Sequence, residues 1–187
     1  LEKGAVILPS GEPDYVNCVY QQEWARFVEE LIKKYDGNPD IAFIDISGYG
    51  NFNEWSWQDQ TEWDEQWDEE YQSGTAGPAS FRTLDGQARR RLADMFIGGT
   101  FSGHQCRAAD GSITSLGYTY PGFTRTQLVM PYAGIVQSTQ YIFTRSGEVG
   151  FRYDCLGRDS AGVINVLQNE LSQIWQSAPV VFEFCKP

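Results

Sequence analysis

Glu54 and Glu183 stand where side-chain chemistry would concentrate, each at or just beyond the end of a predicted strand. Glu183 sits in the otherwise apolar stretch Val180-Val181-Phe182-Glu183-Phe184. A carboxylate near the end of a buried strand is costly unless it is paired or functional. Glu54 follows the strand predicted at 41–46 by a short segment and is preceded by Asn53. Glycoside hydrolysis needs such a pair: one carboxyl protonated to assist the leaving oxygen, the other ionised to attack or to activate water. The alternative for Glu183 is a buried ion pair with Arg152, whose predicted strand should run beside the last one.

Other chemistries find less support. His104 is the only histidine, which limits Ser-His-Asp triads and excludes a multi-histidine metal site. It lies in a Gly- and Ser-rich stretch and reads as an exposed loop residue. Gly48-Tyr49-Gly50-Asn51-Phe52-Asn53 lacks the third glycine of a dinucleotide-binding turn. The four cysteines are too far apart for a CxxC motif, so neither a metal nor a cofactor is expected. Tyr49, Trp55, Trp57 and Tyr132 fall at or just after strand ends, as flat platforms for a sugar ring would. Trp63 and Trp67 have the spacing of one side of a short helix and read as packing. Arg89-Arg90-Arg91 reads as a solvated helix face.

The elements that must position these residues follow from periodicity. Trp24, Phe27, Val28, Leu31, Ile32 and Tyr35 give a helix over 20–35, stopped by Asp36-Gly37-Asn38-Pro39-Asp40. Ile41 to Ile46 is a short apolar strand of the buried parallel kind. A helix over 84–97, a strand over 126–131, a weaker helical pattern over 135–143, and a strand over 148–153 follow. Val163 to Trp175 gives a last helix, broken at Ala178-Pro179 before the strand that begins at Val180. This α-β alternation implies parallel strands with crossover helices in one α/β domain over 1–187, either a doubly wound sheet or a barrel. In a barrel, functional residues sit where strands give way to loops. Gly48–Ser80 and Gly98–Arg125 read as long decorated connections.

Composition bounds the partners. With 187 residues, 41% of them hydrophobic, the chain can build a sizeable core, and its net charge of −11 should repel phosphate backbones and anionic lipid surfaces. Nucleic-acid and membrane roles are not expected. No apolar run approaches the roughly 20 residues of a membrane span, and Leu1 to Ser10 do not form a signal peptide. Cys155 and Cys185 end adjacent predicted strands, near enough for a bridge, which would leave Cys18 with Cys106. Two disulfides would suit an exported protein; free thiols in a cytoplasmic enzyme are the alternative.

The segment Tyr35-Asp36-Gly37-Asn38-Pro39-Asp40-Ile41-Ala42-Phe43-Ile44-Asp45-Ile46, followed by Gly48 to Trp55, resembles the fourth-strand region of clan A glycoside hydrolases. Barrel proteins of the DUF4832 or beta-galactosidase-like kind are the nearest likeness. Gly150 to Gly157 and Trp175 to Glu183 look like the sixth- and seventh-strand regions of the same proteins. The resemblance implies a (β/α)8 TIM-type barrel and a retaining glycoside hydrolase acting on β-linked oligo- or polysaccharide. Glu54 would be the acid/base and Glu183 the nucleophile, with carboxyls about 5 to 5.5 Å apart. Asn53 would bind the sugar 2-hydroxyl, and Arg152 and Asp154 are further candidate substrate contacts. The rings of Trp55 and Trp57, with the charge of Glu183, would hold Glu54 protonated. Aligned this way the chain runs from the third-strand loop to the seventh strand. A longer chain or a partner chain would then supply the rest of the barrel, unless the fold is a reduced one. Trp55 replaces the proline that commonly follows the acid/base glutamate. A non-catalytic carbohydrate-binding or structural barrel, or an inactive fragment of a hydrolase, is the alternative function.

Overall fold

The computed structural model describes residues 13–50, 55, 84–132, 141–142, 146, 148–153 and 175–182. The chain divides into two compact units, Leu1–Leu31 with Trp57–Gly122, and Ile32–Ser56 with Phe123–Pro187.

The first unit contains most of helix α1, Cys18–Tyr35, which continues through the boundary between the units. Asn17 starts the helix: its Oδ1 accepts the N–H groups of Val19 at 2.9 Å and Tyr20 at 3.2 Å, satisfying two donors that a helix start leaves open. Lys33 and Lys34 lie in the last turn, where positive charge suits the helix dipole. Cys18, Gln21 and Val28, at heptad-related positions, form its buried stripe.

Helix α2, Leu84–Ile97, buries Ala88, Leu92, Ala93, Met95 and Phe96 and ends at Gly98, whose φ of 84° suits a glycine C-cap. Its arginine triplet is not a solvated face, because Arg89 and Arg91 are 3% and 4% exposed. The Arg91 guanidinium lies 4.4 Å from the Tyr118 ring centre and donates to the Tyr120 hydroxyl at 3.0 Å and to Gln21 Oε1 at 2.9 Å. A buried cation is tolerated on such terms.

The stretch after α2 is a β-hairpin rather than a loop. Strand β2, Gly99–Arg107, pairs antiparallel with β3, Ile113–Tyr120, with a register shift between Phe101 and His104. In β3 the positions of Thr114, Leu116, Tyr118 and Tyr120 are half-buried and alternate with exposed ones. The shift breaks the same period-two pattern in β2, and Gly and Ser dilute it, so the sequence reads as a loop. His104 is consequently a strand residue, half-buried against Phe101 and Tyr118, with its Nδ1 3.1 Å from the Tyr118 hydroxyl. Burial, then the charges of Arg90 and Arg91, push its pKa down to about 4, so the imidazole is neutral at physiological pH.

Cys18 and Cys106 form a disulfide that ties the start of α1 to β2. Around it, Arg107 donates its N–H to the Val16 carbonyl and pairs its guanidinium with Asp14 at 3.1 Å.

Among the described residues the second unit holds a four-stranded parallel sheet. Its members are β1, Ile44–Asp45, β4, Leu128–Tyr132, β5, Gly150–Tyr153, and β6, Val180–Phe182. They pair in the order β1-β4-β5-β6. Among the described strands spatial order follows chain order, a winding found both in barrels and within either half of a doubly wound sheet. Ile46, Val129, Met130, Ile142 and Phe151 are at most 1% exposed and form the core. Gly150 is required by close approach, since a Cβ there would run into the Pro179 carbonyl oxygen.

Asp36, just past α1, ties the helix end to the segment before β4. Its carboxylate accepts the N–H groups of Thr124, Arg125 and Thr126 and the Thr124 hydroxyl.

Candidate active site at the ends of the parallel strands

Each parallel strand of the second unit carries a candidate site residue at its C-terminal end or in the segment that follows it. Glu54, Asn53, Trp57, Asp154 and Glu183, and with them Cys155 and Cys185, lie outside the described residues. Glu54 follows β1 in the chain, and Glu183 is the residue after the end of β6. Tyr132 ends β4 in register with Tyr153, which is in turn in register with Phe182.

Tyr49 and Trp55 are 2% and 1% exposed. Their ring centres are 5.5 Å apart, the Trp55 N–H donates to the Tyr49 carbonyl at 2.9 Å, and the indole Nε1–H donates to the Ile46 carbonyl at 2.9 Å. Neither ring offers an open face. Together they hold Trp55 against Tyr49 and the chain just after β1.

Trp55 has a φ of 60°, the left-handed region that bulky residues avoid. Such a conformation costs about 1–3 kcal/mol. Burying the ring contributes about 1.5–3 kcal/mol, and the indole hydrogen bond about another 1 kcal/mol. Packing and hydrogen bonding together outweigh the strain, so the conformation is held.

Arg152 is paired across the sheet with Asp45, Nε to Oδ1 at 3.2 Å, with side-chain exposures of 13% and 35%. Arg152 is in register with Pro131 on one side and Val181 on the other, and Asp45 with Val129. Side chains two apart in a strand share a face, so Asp45, Val129, Pro131, Arg152 and Val181 line one side of the sheet. Sequence reasoning offered Glu183 as the Arg152 partner and passed over Asp45. The signal was present: Asp45 is the one charged residue in the apolar run 41–46, the same argument that singled out Glu183.

Among the described residues no group of three or more His, Cys, Asp or Glu side chains is placed to hold a metal ion, and no helix is long and apolar enough to cross a membrane. Comparison of the chain with protein-family models, curated proteins and solved structures finds no match.

Proposed function

We propose that the chain is the catalytic part of a retaining glycoside hydrolase of (β/α)8 type that acts on β-linked carbohydrate, with Glu183 as nucleophile and Glu54 as acid/base. The observation that carries this reading is the sequential parallel order of β1, β4, β5 and β6. Glu54 and Glu183 follow the first and last of these strands, three positions apart. Fourth and seventh strands of a barrel have the same separation, and the two glutamates follow strands at the end of the sheet where barrel enzymes build their sites.

Magnitude sets a condition on the geometry. Three inter-strand spacings of about 4.8 Å make roughly 14 Å along a flat sheet, whereas a retaining pair needs about 5–5.5 Å between carboxyls. The sheet must therefore curl, as barrel strands do, or the loops must carry Glu54 inward. Glu183 attacks the anomeric carbon and the glycosidic C–O bond breaks as Glu54 delivers its proton to the leaving oxygen. Glu54 then takes a proton from water, whose oxygen displaces Glu183 and releases the sugar. Arg152, oriented by Asp45, supplies positive charge on the sheet that carries Glu183, and Asn53 and Asp154 are sugar contacts. The Cys18–Cys106 bridge supports an oxidising, extracellular setting.

The test is turnover of a panel of aryl β-glycosides. Glu183→Gln should lower kcat by at least about 10⁴-fold, as loss of a covalent nucleophile does, while sugar binding measured by calorimetry persists. Unchanged turnover in that variant sinks the proposal.

A further inference from the structure

His104 sits where the β2–β3 hairpin meets α2, a place an ionisable side chain occupies cheaply only while it stays neutral. Helix α2 packs on both strands, and the imidazole interacts with all three elements. Its ring centre lies 6.0 Å from that of Phe101 on its own strand and 5.3 Å from that of Tyr118 on β3, edge-on to both. Its Nδ1 is 3.1 Å from the Tyr118 hydroxyl. On the α2 side it interacts with the Gln87 backbone, while the Gln87 side chain accepts the N–H of the next strand residue, Gln105, at 2.5 Å. The same helix brings two cations to bear on the imidazole: Arg90, and Arg91, whose guanidinium lies over the Tyr118 ring. Two further charged groups act elsewhere: Asp94 of α2 on Tyr120, and Arg107 of β2 on Asp14. The register shift between Phe101 and His104, with Gly103 at a φ of 76°, has already interrupted the ladder at this point.

We propose that His104 is an acid-sensitive wedge: the neutral ring holds the hairpin on α2, and protonation drives it from beside Arg90 and Arg91 and loosens β2–β3 from the helix. The proton does not by itself break the Tyr118 contact, because that hydroxyl can turn from donor to acceptor. What fails is the charge balance, since a third cation joins two others in a half-buried site. Burial, then Arg90 and Arg91, hold the imidazole pKa at about 4 against 6.5 for a free histidine, with the Gln87 backbone opposing them. A histidine pKa lowered by folding means that the neutral form stabilises the packed hairpin. That contribution is complete above the free value and drains away as pH falls from there towards the folded one. Carboxylates titrate mainly below pH 5, so between pH 7 and 5 the imidazole is the side chain whose charge changes most. The Cys18–Cys106 bridge fixes β2 two residues beyond His104, so the hairpin loosens on a tether and stays attached. The inference is independent of the hydrolase reading.

His104 is the only histidine, so its ring-proton resonance can be followed without ambiguity in an NMR titration. The midpoint should lie below about 6, and Arg90→Gln, which keeps the imidazole and removes one neighbouring charge, should raise it. Amide exchange, corrected for the intrinsic effect of pH, reads the structural consequence. In the parent protein the hairpin amides should open about 10-fold more often at pH 5 than at pH 7, while those of β4 keep their protection. His104→Gln keeps a polar side chain that takes up no proton, and the hairpin response should vanish in it. A midpoint at or above about 6, a midpoint unmoved in Arg90→Gln, or a hairpin that opens equally with acid in the parent and in His104→Gln overturns the inference. If His104→Gln does not fold, the parent's exchange and the Arg90→Gln midpoint decide between the outcomes.

Discussion

Asp36 shows what a single carboxylate can organise. Burial pushes its pKa up, but the N–H groups of Thr126 and Arg125, the Thr124 hydroxyl and the Thr124 N–H outweigh this and hold it well below the ordinary carboxylate range. Such a depressed pKa means that the ionised form stabilises the fold: the contribution is complete above the unfolded value of about 3.9 and fades as pH falls through it. Asp36→Asn keeps one acceptor oxygen and places an amide where donors already converge. It should cost about 1–3 kcal/mol at pH 7, a fall in Tm of roughly 2–12 °C for a chain of this size. The difference between parent and variant should persist from pH 7 to about 5 and shrink below about pH 4. A gap in Tm that stays constant down to pH 2.5 would contradict this account. Reading the sequence locally places Asp36 in a helix stop, and α1 does end there. Its grip on Thr124 to Thr126 joins positions 88 to 90 residues apart, which no local pattern encodes. The burial of Trp55 is not marked locally either: its indole donates to the Ile46 carbonyl nine residues earlier, and nothing in the intervening residue types signals that return.

The legible elements were those with strong periodicity. Helix α2 spans the 84–97 of the sequence reading, and α1 differs only by starting at Cys18, because Asn17 supplies a cap that the apolar stripe does not mark. The parallel strands fall inside or beside their apolar runs, shortened where pairing ends. The hairpin β2–β3 was missed because its inward positions mix Thr, Leu, Tyr and His and its register shifts midway. Its attachment to α1 through Cys18–Cys106 is an element-scale staple. In the chain-entropy picture, closing a loop between cysteines 88 residues apart removes about 4–5 kcal/mol of unfolded-state freedom. Cys18→Ser with Cys106→Ser should lower the unfolding free energy by up to that amount in urea titrations, and hydrogen exchange should rise first in α1 before Leu31 and in β2. A loss below about 1 kcal/mol would mean that Asp14–Arg107 and the backbone bridge at Asn17 hold the junction without the sulfurs.

At the scale of the whole molecule, charge is the property most fully written in the sequence, because it needs no fold to be read. Twenty-five acidic residues face fourteen basic ones, and seven acids with no base fall between Asp59 and Glu70. The surplus must be carried largely at the surface, where like charges repel and destabilise any compact state. Exposed pairs such as Arg26 with Glu23 offset little of this, since pairs of that kind contribute about 0–1 kcal/mol. Salt therefore has two opposed effects: it weakens those few pairs, and it screens the uncompensated charges. Going from 0.01 M to 0.15 M shortens the Debye length from about 30 Å to about 8 Å, which removes the long-range repulsion while contact pairs lose much less. Repulsion among eleven excess charges should dominate, so Tm at pH 7 should rise by a few degrees over that range of sodium chloride. The rise should vanish near the sequence pI of 4.4, where the net charge is zero. A Tm that falls with salt at pH 7 would show that ion pairs of the Arg152–Asp45 kind, and not the net charge, set the electrostatic stability of the fold.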